Sequence, residues 1–107
     1  MMTGPLNIMI VDDESLITMY VESLLMDLGH TVVASAARVG KALQLAKTVH
    51  IDLAILDINV AGVLSFPVAD VFRARGIPFF FTSGYGTSGP NDAYSDEFIL
   101  KKTLFLK

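Results

Sequence analysis

The chain has 107 residues, a net charge of −3 and a hydrophobic fraction of 52%, which suits one folded domain over residues 1–107. The acidic balance argues against a nucleic-acid-binding face, because such a face needs clustered basic residues. The absence of cysteine excludes disulfides, thiolate metal sites and cysteine nucleophiles, and the apolar runs are too short to span a membrane. We therefore expect a cytoplasmic domain without a nucleic-acid or membrane partner.

Short apolar strands and helical patterns alternate through the first half of the chain. Residues 6–11 predict a strand, and residues 31–34 predict a second one. Between them a helical stripe ends before Gly29. The apolar members of that stripe are Ile17, Tyr20, Val21, Leu24 and Leu28. Ser35 occupies an N-cap position for a second helix, whose apolar stripe extends from Val39 to Val49.

The middle of the chain predicts a third strand and a third helix. Residues 53–56 are apolar and lead directly into Asp57. Pro67 suits the first turn of a helix through Arg75, and Gly76 suits its end. We expect Arg73 and Arg75 on the solvated face of that helix.

The last part of the chain predicts two more strands. Residues 78–81 indicate a fourth strand, and residues 98–100 indicate a fifth. The segment 84–96 is rich in Gly, Ser, Asn and Pro and lacks an apolar stripe, so we expect a loop or a single turn there. Only residues 103–107 follow the fifth strand, which is too little for a further helix.

This alternation predicts an α/β fold, because strands that are apolar on both faces require helices on both sides of a parallel sheet. Right-handed crossovers then favour a flavodoxin-like, doubly wound sheet of five strands. The fourth helix is expected to be reduced and the fifth to be missing or truncated.

Four polar features follow the predicted strands. Asp12 and Asp13 come after the first strand, Asp57 after the third, Ser83 after the fourth and Lys102 after the fifth. In open α/β sheets the carboxyl ends of the strands form the ligand-binding edge, so these side chains should converge. Three carboxylates repel each other unless a cation compensates, and a site with few oxygen ligands favours Mg²⁺. A carboxylate beside Mg²⁺ can attack phosphorus and form an acyl phosphate.

The segments IMIVDDE, LAILDIN, PFFFTSGYG and ILKK resemble, in order and spacing, the signature segments of response-regulator receiver domains. The stretch from DIN to SGYG is also similar to a single-domain subfamily with a Pro-Phe-x-Phe-x-Thr-Gly-Tyr-like motif. The resemblance extends from Leu6 to Lys102. It implies a phosphorelay protein that takes a phosphoryl group from a sensor histidine kinase or a phosphotransfer protein, and that phosphorylates and dephosphorylates itself.

The resemblance also implies a role for each site residue. Asp57 would be the phosphoacceptor, Asp13 a direct Mg²⁺ ligand, and Asp12 a ligand through water. The backbone carbonyl of Asn59 would complete the protein ligands. Ser83, rather than the adjacent Thr82, matches the switch hydroxyl. Lys102 matches the family lysine, with Lys101 as an alternative alignment.

Two other functions stay open. A degenerate receiver would act only as an interaction module, and Thr103 in place of the usual proline after Lys102 is consistent with that reading. A small phosphohydrolase with an aspartyl nucleophile is disfavoured, because such enzymes commonly carry an acidic residue where Asn59 stands. We further predict a homodimer on the face where a fifth helix would lie, with Leu104, Phe105 and Leu106 joining the interface.

Overall fold

The computed structural model describes residues 4–83 and 99–101. Within them the chain forms three helices and seven strands. The helices are α1 (Ser15–Asp27), α2 (Val39–Thr48) and α3 (Phe66–Arg75). The strands are β1 (Asn7–Val11), β2 (Thr31–Ala36), β3 (Leu53–Asp57), β4 (Asn59–Val60), β5 (Val63–Leu64), β6 (Phe79–Ser83) and β7 (Ile99–Lys101).

Five of these strands form one parallel sheet in the order β2-β1-β3-β6-β7. From β1 the chain adds β2 on one side, and it then adds β3, β6 and β7 on the other side. The direction of strand addition therefore reverses between β1 and β3, beside their carboxyl ends. The predicted flavodoxin-like, doubly wound sheet is confirmed.

The sheet separates two apolar cores, because alternate residues of each strand point to opposite faces. On one face α2 and α3 pack against β1, β3 and β6 through Met9, Val11, Ala42, Ala46, Ala54, Leu56, Phe72 and Phe81. On the other face α1 packs through Ile17 and Val21 against Ile8, Ile10 and Ile55. The central strands β1 and β3 are therefore covered on both sides.

The first helix is less amphipathic than predicted. Ile17 and Val21 are buried, but Tyr20, Leu24 and Leu28 are exposed by 42%, 38% and 71%. Apolar residues surround most of α1, since Leu16, Met19 and Met26 are exposed as well. The apolar spacing therefore predicted the helix correctly. It did not predict which residues are buried, because only Ile17 and Val21 of the five lie in the core.

One local prediction about the second helix is wrong, and the third helix makes a contact that the sequence did not indicate. Ser35 belongs to β2 and does not cap α2, whose N-cap residue is Arg38. Arg75 is exposed as predicted, and its Nη1 in addition donates hydrogen bonds to the carbonyls of Ala46 (2.5 Å) and Val49 (3.0 Å). These carbonyls lie at the end of α2, so the side chain ties α3 to that end.

The third helix ends as predicted. Gly76 adopts a left-handed conformation with φ of 70°, which a glycine accepts without a steric penalty.

A small hairpin that the sequence pattern did not indicate follows β3. Strands β4 and β5 pair antiparallel through a two-residue turn at Ala61 and Gly62, both with positive φ. The Asn59 Oδ1 accepts a hydrogen bond from the Gly62 N–H (3.0 Å), which closes the turn.

Several predictions concern residues outside the described ones: the loop over residues 84–96, the reduced fourth helix, the missing fifth helix, Lys102, and the part of Leu104, Phe105 and Leu106 in a homodimer. Within the described part of the chain, no helix has the length and apolarity to cross a membrane.

Candidate metal and phosphoacceptor site

Three carboxylates meet at the carboxyl edge of the sheet. Asp12 and Asp13 follow β1, and Asp57 is the last residue of β3. One carboxylate oxygen from each lies within 4.8 Å of the others. Asp12 and Asp57 are buried, with 6% and 3% of their surfaces exposed, whereas Asp13 is open to solvent.

Sheet register explains why residues 45 positions apart become neighbours. In the parallel pair β1–β3, Val11 lies opposite Leu56, so the residues that follow them, Asp12 and Asp57, lie side by side at the carboxyl edge of the sheet. The Asp12 N–H donates to the Ala36 carbonyl (3.0 Å), which extends the contact with β2. The Asp12 Oδ1 accepts a hydrogen bond from the Glu14 N–H (2.8 Å), so the carboxylate is held at the turn into α1.

The donor set fits a hard divalent cation. Mg²⁺ takes oxygen ligands, and one or two carboxylates with retained water are its usual protein ligands. Two buried carboxylates beside an exposed one supply that set, and a cation would relieve their mutual repulsion. The prediction that Asp12, Asp13 and Asp57 converge therefore agrees with the geometry. The Asn59 side chain is exposed and engaged in the hairpin, so any contribution to the metal would come from its backbone carbonyl.

The hydroxyl side of the site lies on β6. Thr82 is the sheet partner of Asp57, and the Ile58 N–H donates to its carbonyl (3.2 Å). Ser83 is one residue beyond that partner and lies opposite Lys101 of β7. Thr82 is buried, and its Oγ1 has no hydrogen-bond partner among the described residues. The assignments of Ser83 as the switch hydroxyl and of Lys102 as the lysine stay predictions.

Ser65 is a residue of this site that sequence analysis missed. It is fully buried, and its Oγ lies 2.5 Å from the Asp57 carbonyl oxygen and 3.1 Å from the Ile58 carbonyl oxygen. The sequence contained a partial signal, because a serine just before Phe66-Pro67 suits a helix N-cap. The hydroxyl makes no cap hydrogen bond, however, and donates back to β3 instead.

An open groove of about 250 Å³ leads from the carboxylates along α1. It is lined by Asp12, Asp13, Ser15, Thr18, Met19, Glu22, Ser35 and Ala37. Asp13 is therefore reached from the side between α1 and β2, while Asp12 and Asp57 stay largely covered.

Comparisons with known proteins agree with this architecture. The family model of the response regulator receiver domain matches residues 8–88. The chain is 35% identical over 97 residues to the nitrate/nitrite response regulator protein NarP of Escherichia coli, covering 90% of this chain and 43% of NarP. It thus spans less than half of that relative's length.

Solved structures of single receiver domains are also similar. The solution structure of SdrG from Sphingomonas melonis superposes with a TM-score of 0.84 at 38% identity, covering 94% of this chain and 86% of SdrG. The BeF₃-activated conformation of SdrG gives a TM-score of 0.76 at 37% identity, with the same coverage. The receiver domain of PhyR from Erythrobacter litoralis gives a TM-score of 0.79 at 25% identity, covering 92% of this chain and 79% of that domain. From the family match, the sheet order and these likenesses we conclude that the chain belongs to the response regulator receiver domains of two-component systems.

Proposed function

We propose that this receiver domain accepts a phosphoryl group on Asp57 from a sensor histidine kinase or a phosphotransfer protein, with Mg²⁺ as cofactor. The observation that carries the proposal is the convergence of Asp12, Asp13 and Asp57 within 4.8 Å at the carboxyl edge of the sheet. Family membership supports the general role, and the acidic geometry favours a phosphoacceptor over a receiver that serves only as an interaction module.

The transfer is a substitution at phosphorus. An Asp57 carboxylate oxygen forms a bond to the phosphorus of a phosphohistidine while the P–N bond breaks. The electron pair of that bond stays on the imidazole nitrogen, which is then protonated. Dephosphorylation is a hydrolysis. Water attacks phosphorus, the bond to the Asp57 oxygen breaks to restore the carboxylate, and inorganic phosphate leaves.

Bound Mg²⁺ would neutralise charge on the phosphoryl oxygens and on the acidic cluster. Asp13, Asp57 and the carbonyl of Asn59 would hold it directly, and Asp12 through water. Ser83 would donate a hydrogen bond to the transferred group, and Lys102 would pair with its charge. Asp12 is already fixed by the N–H of Glu14, so this part of the site needs little rearrangement.

The output of the switch would be protein contacts or removal of phosphoryl groups from the relay. SdrG has a BeF₃-activated conformation, and beryllofluoride mimics a phosphoryl group on a carboxylate. We therefore expect this chain to bind beryllofluoride when Mg²⁺ is present. We place it in the cytoplasm, as one domain over residues 1–107.

Self-association of two copies is part of the proposal. Six large apolar side chains of α1 and the turn after it are exposed to solvent. They are Leu16, Met19, Tyr20, Leu24, Met26 and Leu28. Burying this surface against a second copy would remove it from water.

A labelling experiment tests the phosphoacceptor. Incubation with acetyl phosphate and Mg²⁺ should add one phosphoryl group, detected by intact mass, and Asp57→Asn should abolish it. Asp52→Asn is the matched control, because Asp52 immediately precedes the same strand at its opposite end and its Oδ2 accepts the Asn7 N–H (2.8 Å). Full labelling of Asp57→Asn, or none of the wild type, would refute the assignment.

A further inference from the structure

The backbone that carries Asp57 is held from two directions. On one side the Ile58 N–H donates to the Thr82 carbonyl of β6 (3.2 Å). On the other side the Ser65 Oγ contacts the carbonyl oxygens of Asp57 and Ile58 at 2.5 Å and 3.1 Å. The peptide unit between Asp57 and Ile58 is therefore fixed at both its N–H and its carbonyl.

Ser65 has no exposed surface, so water does not reach its hydroxyl without a rearrangement. Its backbone makes separate contacts: the N–H donates to the Ile58 carbonyl (2.9 Å), and the carbonyl accepts the Val68 N–H (2.9 Å) at the start of α3. Replacing Ser65 by alanine leaves both backbone contacts possible. The substitution thus removes only the hydroxyl that reaches the phosphoacceptor strand.

We infer that Ser65 is a positioning residue, whose hydroxyl fixes the Asp57–Ile58 peptide so that the Asp57 carboxylate faces Asp12 and Asp13. This inference rests on the proposed function and adds a residue to it. The hydroxyl also lies 3.1 Å from the carbonyl oxygen of Ile58, the residue just before Asn59.

The test compares three variants by Mg²⁺ affinity and by phosphorylation rate. Ser65→Ala should raise the Mg²⁺ dissociation constant, measured by calorimetry, by roughly 10-fold. At saturating Mg²⁺ and acetyl phosphate it should slow labelling of Asp57 by roughly 10-fold or more, because a small displacement of a reacting group is costly. Ser65→Thr keeps the hydroxyl and should recover most of both properties.

Phe72→Leu is the control for general destabilisation, because Phe72 is fully buried in α3 and makes its ring contact with Phe79 rather than with the site. It should lower the melting temperature while keeping wild-type Mg²⁺ affinity and labelling rate. If Ser65→Ala does not fold, Ser65→Cys, of similar size and with a weaker donor, replaces it in the comparison with Ser65→Thr.

Each outcome decides the inference. Wild-type Mg²⁺ affinity and rate in Ser65→Ala would overturn it, and so would equal losses in Ser65→Ala and Phe72→Leu. If the wild type binds Mg²⁺ but is never labelled, the proposed function fails while the Mg²⁺ affinities still decide the role of Ser65. If the wild type binds no Mg²⁺, both proposals fail.

Discussion

Asp57→Asn should stabilise the protein when no divalent cation is present. The oxygens of Asp12 and Asp57 lie within 4.8 Å of each other, and both residues are buried. With an effective dielectric constant of about 20, two unit charges at that separation repel by about 3.5 kcal/mol. Counterions and the open side toward Asp13 reduce this value, so we expect the free energy of unfolding to rise by about 1 to 3 kcal/mol.

The measurement is thermal unfolding followed by circular dichroism, in EDTA and in a series of Mg²⁺ concentrations. For a domain of this length, 1 kcal/mol corresponds to roughly 4–8 °C. The wild type should melt below Asp57→Asn in EDTA. It should then gain stability with Mg²⁺, by about 2.7 kcal/mol at a concentration 100 times the dissociation constant. Asp57→Asn should lose most of that gain. At high Mg²⁺ the melting temperature of the wild type should therefore reach or exceed that of Asp57→Asn.

Asp27→Asn is the control, because it makes the same chemical change at an exposed position of α1 outside the cluster. Its Mg²⁺-dependent gain should equal that of the wild type. Two results would show that repulsion in the cluster is not the cause: a lower melting temperature of Asp57→Asn in EDTA, or a wild-type curve that does not respond to Mg²⁺.

Three further predictions concern other parts of the molecule. Ala61→Asn should raise the free energy of unfolding in urea by about 0.5–1 kcal/mol, because Ala61 has φ of 53° and asparagine tolerates that conformation better; a decrease would contradict this. Arg75→Met should lower the free energy of unfolding in urea by about 1 kcal/mol, because two hydrogen bonds to carbonyls at the end of α2 are lost; an unchanged value would contradict this. In sedimentation equilibrium the wild type should associate and Met26→Glu should not; a monomeric wild type at high concentration would exclude the dimer.

The sequence predicts the sheet and the acidic site because both depend on strong local signals. The apolar runs that end at Val11 and Leu56 pair in the sheet, and their register brings Asp12 and Asp57 together. Pro67 and Gly76 bound the third helix for conformational reasons that hold in any context.

The other features depend on contacts that no local pattern records. The hairpin turn has Ala61 where asparagine or glycine usually takes the left-handed conformation. The sequence therefore lacked the Asn-Gly signal of such a turn. Arg75 and Ser65 donate to carbonyls that are distant in sequence, and a hydroxyl at a helix start is ordinarily interpreted as a cap. The exposure of Tyr20 and Leu28 could not be predicted either, because apolar residues surround most of α1.

The strand order has a consequence for biosynthesis. Strands β2, β1 and β3 are neighbours in the sheet and are the first three made, and α1 and α2 connect them. All three carboxylates of the cluster are therefore present once residue 57 has been synthesised. Domains generally fold as units during synthesis, once the chain that forms them has left the ribosome. We therefore expect the acidic edge to form only when β6 and Ser65 have also left the ribosome, because β3 pairs with β6 and the Ser65 hydroxyl contacts the Asp57 carbonyl.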